Sequence, residues 1–199
     1  MAFIRTIPES EAAMEVREMY DNDLESRGYI PNYSKVFSHR PEVMAAWGKL
    51  LGSISSNMNK RRYELVTLDA AHALRSSYCM LAHGSILQER FYATEQLTKI
   101  AQDYHAADLT PAEVAMMAFA EQVVRDATAI TQSDIEELRV HGFSDAEIFD
   151  ITTTATARRF FSKTLDALGA QPDEIYLALE DSLRQSLTVG RPIDGQIHE

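Results

Sequence analysis

Between Glu64 and Arg75 the chain carries Leu65, Val66, Leu68, Ala70, Ala71, Ala73 and Leu74. Wound at 3.6 residues per turn, these side chains leave little polar surface, so the helix they form has to be enclosed by other elements. The flanking segments supply helices to enclose it. Pro8 opens a helical pattern through Ala12, Val16, Met19 and Leu24 that Gly28 stops, and Tyr33 to Phe37 reads as a short helix. Pro41 starts a run with Val43, Met44, Trp47, Leu50, Leu51 and Ile54 at three- and four-residue spacing. Ser76 and Ser77 offer an N-cap for a helix through Cys79, Leu81, Ile86 and Leu87. Thr110-Pro111-Ala112-Glu113 and Ser144-Asp145-Ala146-Glu147 are capping boxes, each followed by an apolar-rich helix; a last helix is expected after Pro172. No alternating run supports a sheet, and 8 Gly with 6 Pro in 199 residues are too few for a turn-dense β architecture. The expected fold class is all-α, with one domain over residues 1–185. Residues 186–199 read as a C-terminal tail, either disordered or clamped to a neighbouring subunit.

Composition narrows the function. With 19 basic and 30 acidic side chains the formal charge is −11, which argues against a nucleic-acid partner, since binding a phosphate backbone needs a basic surface. No apolar run reaches the ~20 residues of a membrane span, and the first residues lack the apolar core of a secretory signal. A cytoplasmic protein is therefore expected. The sequence has 1 cysteine, Cys79, so no internal disulfide is available, and a reducing compartment would keep that thiol free.

Cys79 falls within the first turn of its helix if Ser76 is the cap, where unpaired backbone N–H groups and the helix dipole favour a thiolate. His83, four residues on, shares its helical face and can exchange a proton. Glu64, in the preceding apolar helix, needs a partner for a buried carboxylate, and His83 can supply it. Nucleophile, base and orienting acid form one constellation. Spacing alone leaves the plainer reading open, in which Cys79 is a small buried hydrophobe. His72 with Cys79, His83 and Glu64 could in principle ligate zinc, although the expectation is no metal and no cofactor. Arg158-Arg159 beside Phe160-Phe161 could clamp an anion, or else form a structural ion pair at an interface. Trp47 reads as packing beside a pocket entrance.

The segment from Glu64 to His83 resembles the signature of the AhpD-like alkylhydroperoxidase and carboxymuconolactone decarboxylase superfamily. In that pattern a Glu precedes Cys-x-x-Cys-x-x-x-His by eleven residues, often with His or Tyr just before the second Cys. Glu64, Tyr78, Cys79 and His83 match it, while Ser76 stands where the first Cys would be. Downstream, Leu109 to Glu113, Ile130 to Ile135, His141 to Ile148, and Leu165 to Gly169 with Pro172-Asp173 resemble its peroxidase-related branch. The likeness spans about residues 10–185. It implies an AhpD-like all-helical fold, a homo-oligomer, and Cys79, His83 and Glu64 as catalytic residues, with Ser76 and Tyr78 supporting.

In dithiol members the second Cys attacks a peroxide and the first resolves the sulfenic acid as a disulfide. Ser76 cannot do that. The resemblance therefore implies a one-cysteine peroxidase cycle, with His83 and Glu64 relaying the proton and an external thiol as reductant. In that cycle Ser76 would cap the helix and donate a hydrogen bond to the thiolate. Two alternatives stand beside it. One is a carboxymuconolactone decarboxylase-like acid–base reaction on a lactone-like substrate, with Cys79 only lining the pocket. The other is a non-catalytic helical oligomer that has lost the dithiol.

Overall fold

The computed structural model describes residues 2–195, and among these there is no strand. In chain order the helices are α1 (Met14–Arg27), α2 (Asn32–Phe37), α3 (Pro41–Ser55), α4 (Lys60–Ala73) and α5 (Ser77–Arg90). There follow α6 (Thr94–Gln102), α7 (Pro111–Asp126), α8 (Gln132–Val140), α9 (Asp145–Ala167) and α10 (Asp181–Leu187). The apolar helix is central, as its composition requires: α4 packs against α5, α7 and α9. Every residue from Tyr63 to Ala71 is buried.

Local chemistry sets the boundaries. Asn59 caps α4 by accepting the Arg62 N–H at 3.3 Å. Both expected capping boxes form. The hydroxyls of Thr110 and Ser144 each accept the N–H three residues on at 3.3 Å, and Glu113 and Glu147 accept the cap N–H groups at 3.1 and 2.9 Å. Each cap is worth about 1 kcal/mol. The same glutamates also dock their helices on the start of α4, because Arg61 pairs with Glu113 and Arg62 with Glu147.

Three expectations change. The pattern after Pro8 is broken into a 3-10 turn at Glu9–Glu11 and the separate α1. Arg17 donates to the carbonyls of Glu9 and Ala12 at 2.9 and 3.1 Å, and Tyr20 donates to the Ile7 carbonyl at 2.7 Å. These bonds fold the leading segment back along α1 instead of extending the helix. After Pro172 the chain makes a 3-10 turn, Glu174–Ala178, before α10 begins. Residues 187–195 are held by their own chain. Leu187 and Ile193 are fully buried, and the Gly190 N–H donates to Ser77 Oγ at 2.7 Å. A β-carbon at Gly190 would lie 2.1 Å from the Arg75 carbonyl oxygen, so only glycine fits where this strap crosses the α4–α5 turn. Residues 196–199 lie outside the described part.

Burial of α4 has a cost at Asp69, which is 3% exposed, with Oδ2 lacking any hydrogen-bond partner. Burial first, and then the Glu121 carboxylate, push its pKa well above the usual carboxylate range, against a smaller opposing pull from Arg125. A raised acid pKa means the native state holds a proton the unfolded chain has released, so stability falls as pH rises above about 4. Asp69→Asn is expected to raise the melting temperature at pH 7. The gain should shrink toward pH 4, as thermal denaturation across that range would show.

Candidate active site

The α4–α5 hairpin turns through Arg75, which takes a left-handed φ of +57°. The turn brings the start of α4 alongside the middle of α5. Glu64 is fully buried and its Oε2 lies 2.5 Å from His83 Nδ1. Lys60, one turn earlier on α4, places Nζ 2.6 Å from Glu64 Oε1. The contact is an ion pair. Burial pushes the Glu64 pKa up, but His83 and Lys60 together pull it below the usual range. The carboxylate is thus ionised and accepts from His83 Nδ1–H, which leaves Nε2 as the basic nitrogen. For His83, burial and the Arg158 charge lower the pKa more than Glu64 raises it, so the imidazole is neutral at pH 7.

Cys79 precedes His83 by about one turn of α5 and is 2% exposed. Its hydrogen bond comes from across the core: Ser162 Oγ, on α9, donates to Sγ at 3.2 Å. Among the described residues Cys79 and His83 share no direct hydrogen bond. Ser76 occupies the N-cap position of α5, but its side chain makes no capping bond. Its buried hydroxyl has no well-formed partner; it faces Asp166, whose pKa burial raises, and opposes that rise only slightly. The donor expected from Ser76 is supplied by Ser162 instead. Tyr78 points into a different network, donating to Asp173 and accepting the Tyr33 N–H at 3.2 Å. Asp173 also accepts the Asn32 N–H at 2.7 Å, so Tyr78 fastens α5 to the start of α2.

Other candidates lie apart or play different parts. His72 is exposed and lines a cavity with Asp69, Tyr104 and Glu121, away from Glu64 and His83. No cluster of three or more metal-ligating side chains occurs among the described residues. The arginine pair separates. Arg159 is exposed and donates to the Val124 carbonyl at 3.0 Å. Arg158 is buried and donates to Tyr63 Oη at 3.2 Å, and the Tyr63 ring in turn meets the His83 ring edge-on at 6.3 Å. Among the described residues neither arginine forms an ion pair within the chain. Trp47 is buried, stacked on Phe161 at 5.3 Å, and lines a groove of about 710 Å³ between α3 and α9. The sequence pattern did not single out Lys60 or Ser162. Lys60 could have been found from its i, i+4 spacing to Glu64; Ser162 has no local signal, because its contact with Cys79 spans 83 residues.

Solved structures place this fold. A peroxidase-related protein from Ralstonia eutropha, described as an alkylhydroperoxidase AhpD core, is 22% identical with a TM-score of 0.78, covering 96% of this chain and 98% of that one. A peroxidase-related protein from Silicibacter is also 22% identical, with a TM-score of 0.76 and coverage of 87% and 95%. The debrominase Bmp8, as a cysteine-to-alanine variant in complex with 2,3,4-tribromopyrrole, is 16% identical with a TM-score of 0.70, covering 92% and 95%. The chain therefore has the all-helical AhpD-like fold seen in these peroxidase-related structures. No protein-family model and no curated protein matches the sequence. No helix among the described residues is long and apolar enough to cross a membrane.

Both members of the Glu64–His83 pair have lowered pKa values, which fixes the sign of their linkage to stability. Their contribution is complete above about pH 6.5. It is lost first through His83 and then through Glu64 as the pH falls. Removing the carboxylate with Glu64→Gln takes away the only influence that raises His83. Its imidazole should then titrate at lower pH than in the parent protein, followed by NMR of the ring protons. An upward move would contradict this charge arrangement.

Proposed function

We propose that the protein is a single-thiol, peroxidase-like oxidoreductase in which Cys79 is the nucleophile and Glu64 and His83 manage the proton. The observation that carries this reading is the 2.5 Å contact between His83 Nδ1 and the buried Glu64 carboxylate, one helical turn from a cysteine that accepts a hydrogen bond. Glu64 holds the imidazole with Nε2 as acceptor and stabilises the imidazolium formed when it takes the thiol proton. Because Sγ and His83 share no hydrogen bond, a water or the entering hydroperoxide bridges them. The Cys79 thiolate attacks the terminal peroxide oxygen and the O–O bond breaks. One oxygen stays on sulfur as the sulfenic acid, and the leaving alkoxide takes the proton from His83. Two equivalents of an external thiol then return Cys79 to the thiol, giving a disulfide and water.

The intact Glu64–His83 pair also favours a second reading, an acid–base reaction of the decarboxylase type in which the sulfur is dispensable. The similarity to a debrominase adds bromopyrroles to the compounds worth assaying. Self-association belongs to the same proposal, and sedimentation velocity reports it.

Peroxide consumption with a thiol donor separates the readings. Cys79→Ala is expected to abolish it, whereas undiminished turnover would exclude the thiol cycle. Retention of proton-transfer activity toward a lactone in Cys79→Ser would favour the acid–base reading. Ser76→Cys restores a thiol at the cap position of α5, so peroxide treatment is expected to give an intramolecular disulfide. Mass spectrometry would detect it as a loss of about two hydrogen atoms from the intact chain, their electrons going to the peroxide.

A further inference from the structure

Arg158 is 2% exposed, and the single hydrogen bond its guanidinium makes among the described residues is to Tyr63. Its Nε is buried with no partner. A guanidinium stays charged and carries five N–H donors, so this is a buried cation with its Nε donor unmet, and among the described residues it forms no ion pair. Aromatic faces compensate only in part: its central carbon lies 5.6 Å from the Trp47 ring centroid and 6.0 Å from that of Phe161. Such a charge is costly to bury unless something pairs with it.

The surroundings define what that partner is. Ser162, one turn further along the same face of α9, holds the Cys79 sulfur, and Tyr63 links Arg158 to the His83 ring. Lys60 and Glu64 neutralise one another, and His83 is neutral, so Arg158 gives the site one uncompensated positive charge. The opposite face of this wall is apolar. Trp47, which carries Arg158, also lines the α3/α9 groove with Leu50, Ile54, Ala157 and Phe160. Asp150, about two turns toward the α9 N-terminus, puts a carboxylate on that groove's lining and repels an anionic head from the far end.

We propose that Arg158 is an anion-binding, specificity-determining residue, taking the carboxylate of an amphipathic organic acid whose apolar body lies in the α3/α9 groove against Trp47. A monoanion matches one guanidinium, whereas a phosphate dianion would leave excess negative charge beside Glu64. Trp47, 4% exposed, separates Arg158 from the groove, whose lining does not include Arg158, so in this proposal the indole has to turn aside to admit the head group. The inference rests on the proposed thiol site only in placing the acid beside Cys79, which makes the substrate a carboxylate-bearing hydroperoxide.

Trp47 is the sole tryptophan, so its fluorescence reports the site directly. Titrating the full chain with dodecanoate and with dodecanol at matched concentrations below micelle formation is expected to show binding of the acid about tenfold tighter or more. Arg158→Met should erase that preference and Arg158→Lys retain part of it, with melting curves confirming that both fold. Bound dodecanoate should slow iodoacetamide alkylation of Cys79 in the parent protein, while dodecanol at the same concentration should not. Equal binding of acid and alcohol, no spectral response to either, or alkylation unaffected by bound acid would each overturn the proposal. The comparison in the parent protein decides it even if Arg158→Met does not fold. None of these readouts needs turnover: fluorescence preference without peroxide consumption would sink the peroxidase reading alone, and peroxide consumption without the preference would sink the anion site alone.

Discussion

The burial of α4 on nearly all sides governs the rest of the molecule. A helix enclosed by α5, α7 and α9 has no solvent to neutralise what it carries, so each polar side chain on it has to be paired within the protein or lose its charge. Glu64 and Asp69 stand less than two turns apart on this helix and meet opposite fates. Lys60 and His83 reach Glu64, and its carboxylate stays ionised in spite of burial. Asp69 is buried facing Glu121 with only a smaller opposing pull from Arg125, and its pKa is pushed well above the usual carboxylate range. Two carboxyl groups in one helix are thereby driven in different directions by what lies opposite them, which is how a fold assigns acid and base duties.

The same enclosure explains why the hairpin of α4 and α5 needs fastening from outside. The turn at Arg75 is left-handed, and the strap through Gly190 lies against it, with Ser77 accepting the Gly190 N–H. At the other side of α5, Tyr78 anchors to Asp173, which also holds the first turn of α2. Cys79 follows directly on these two fastenings, so the backbone that presents its sulfur is held at the two preceding residues. Ser162 then fixes the sulfur from α9. The serine at position 76 contributes its backbone geometry at the start of the helix, while its hydroxyl makes no bond to the sulfur.

How much of this was legible in the sequence follows from the range of each interaction. The central helix, the capping boxes at Thr110 and Ser144, and the Gly28 stop are local patterns, and the structure carries them at those residues. The break before α1 was hidden because Arg17 and Tyr20 act backward on carbonyls that periodicity does not register. The approach of Glu64 to His83 was legible because a carboxylate in an apolar helix demands a partner, and the next helix offered one. Ser162 and Arg158 were not placed at the site by the sequence. Their pairing with Cys79 and Tyr63 depends on how α9 crosses α4 and α5, which no short spacing encodes. The tail from residue 186 read as disordered or clamped to a neighbouring subunit for the same reason: its apolar side chains Leu187 and Ile193 are buried by distant parts of the chain.

Charge balance links these long-range contacts to the chemistry. In the proposed cycle His83 becomes positive when it takes the thiol proton, and the thiolate becomes negative. Glu64 is already matched by Lys60, so an added charge on His83 is shared by a carboxylate with a competing partner. Arg158 opposes that added charge, which keeps the imidazole ready to give the proton up again. A relay requires both tendencies: enough stabilisation to accept the proton and enough repulsion to release it to the leaving alkoxide. With Glu64 alone beside it, His83 would hold its proton more firmly; with Arg158 alone, it would not take one. The buried arginine on α9 and the buried glutamate on α4 thus set the imidazole from opposite sides, and the packing of α9 across the hairpin brings both to bear on it.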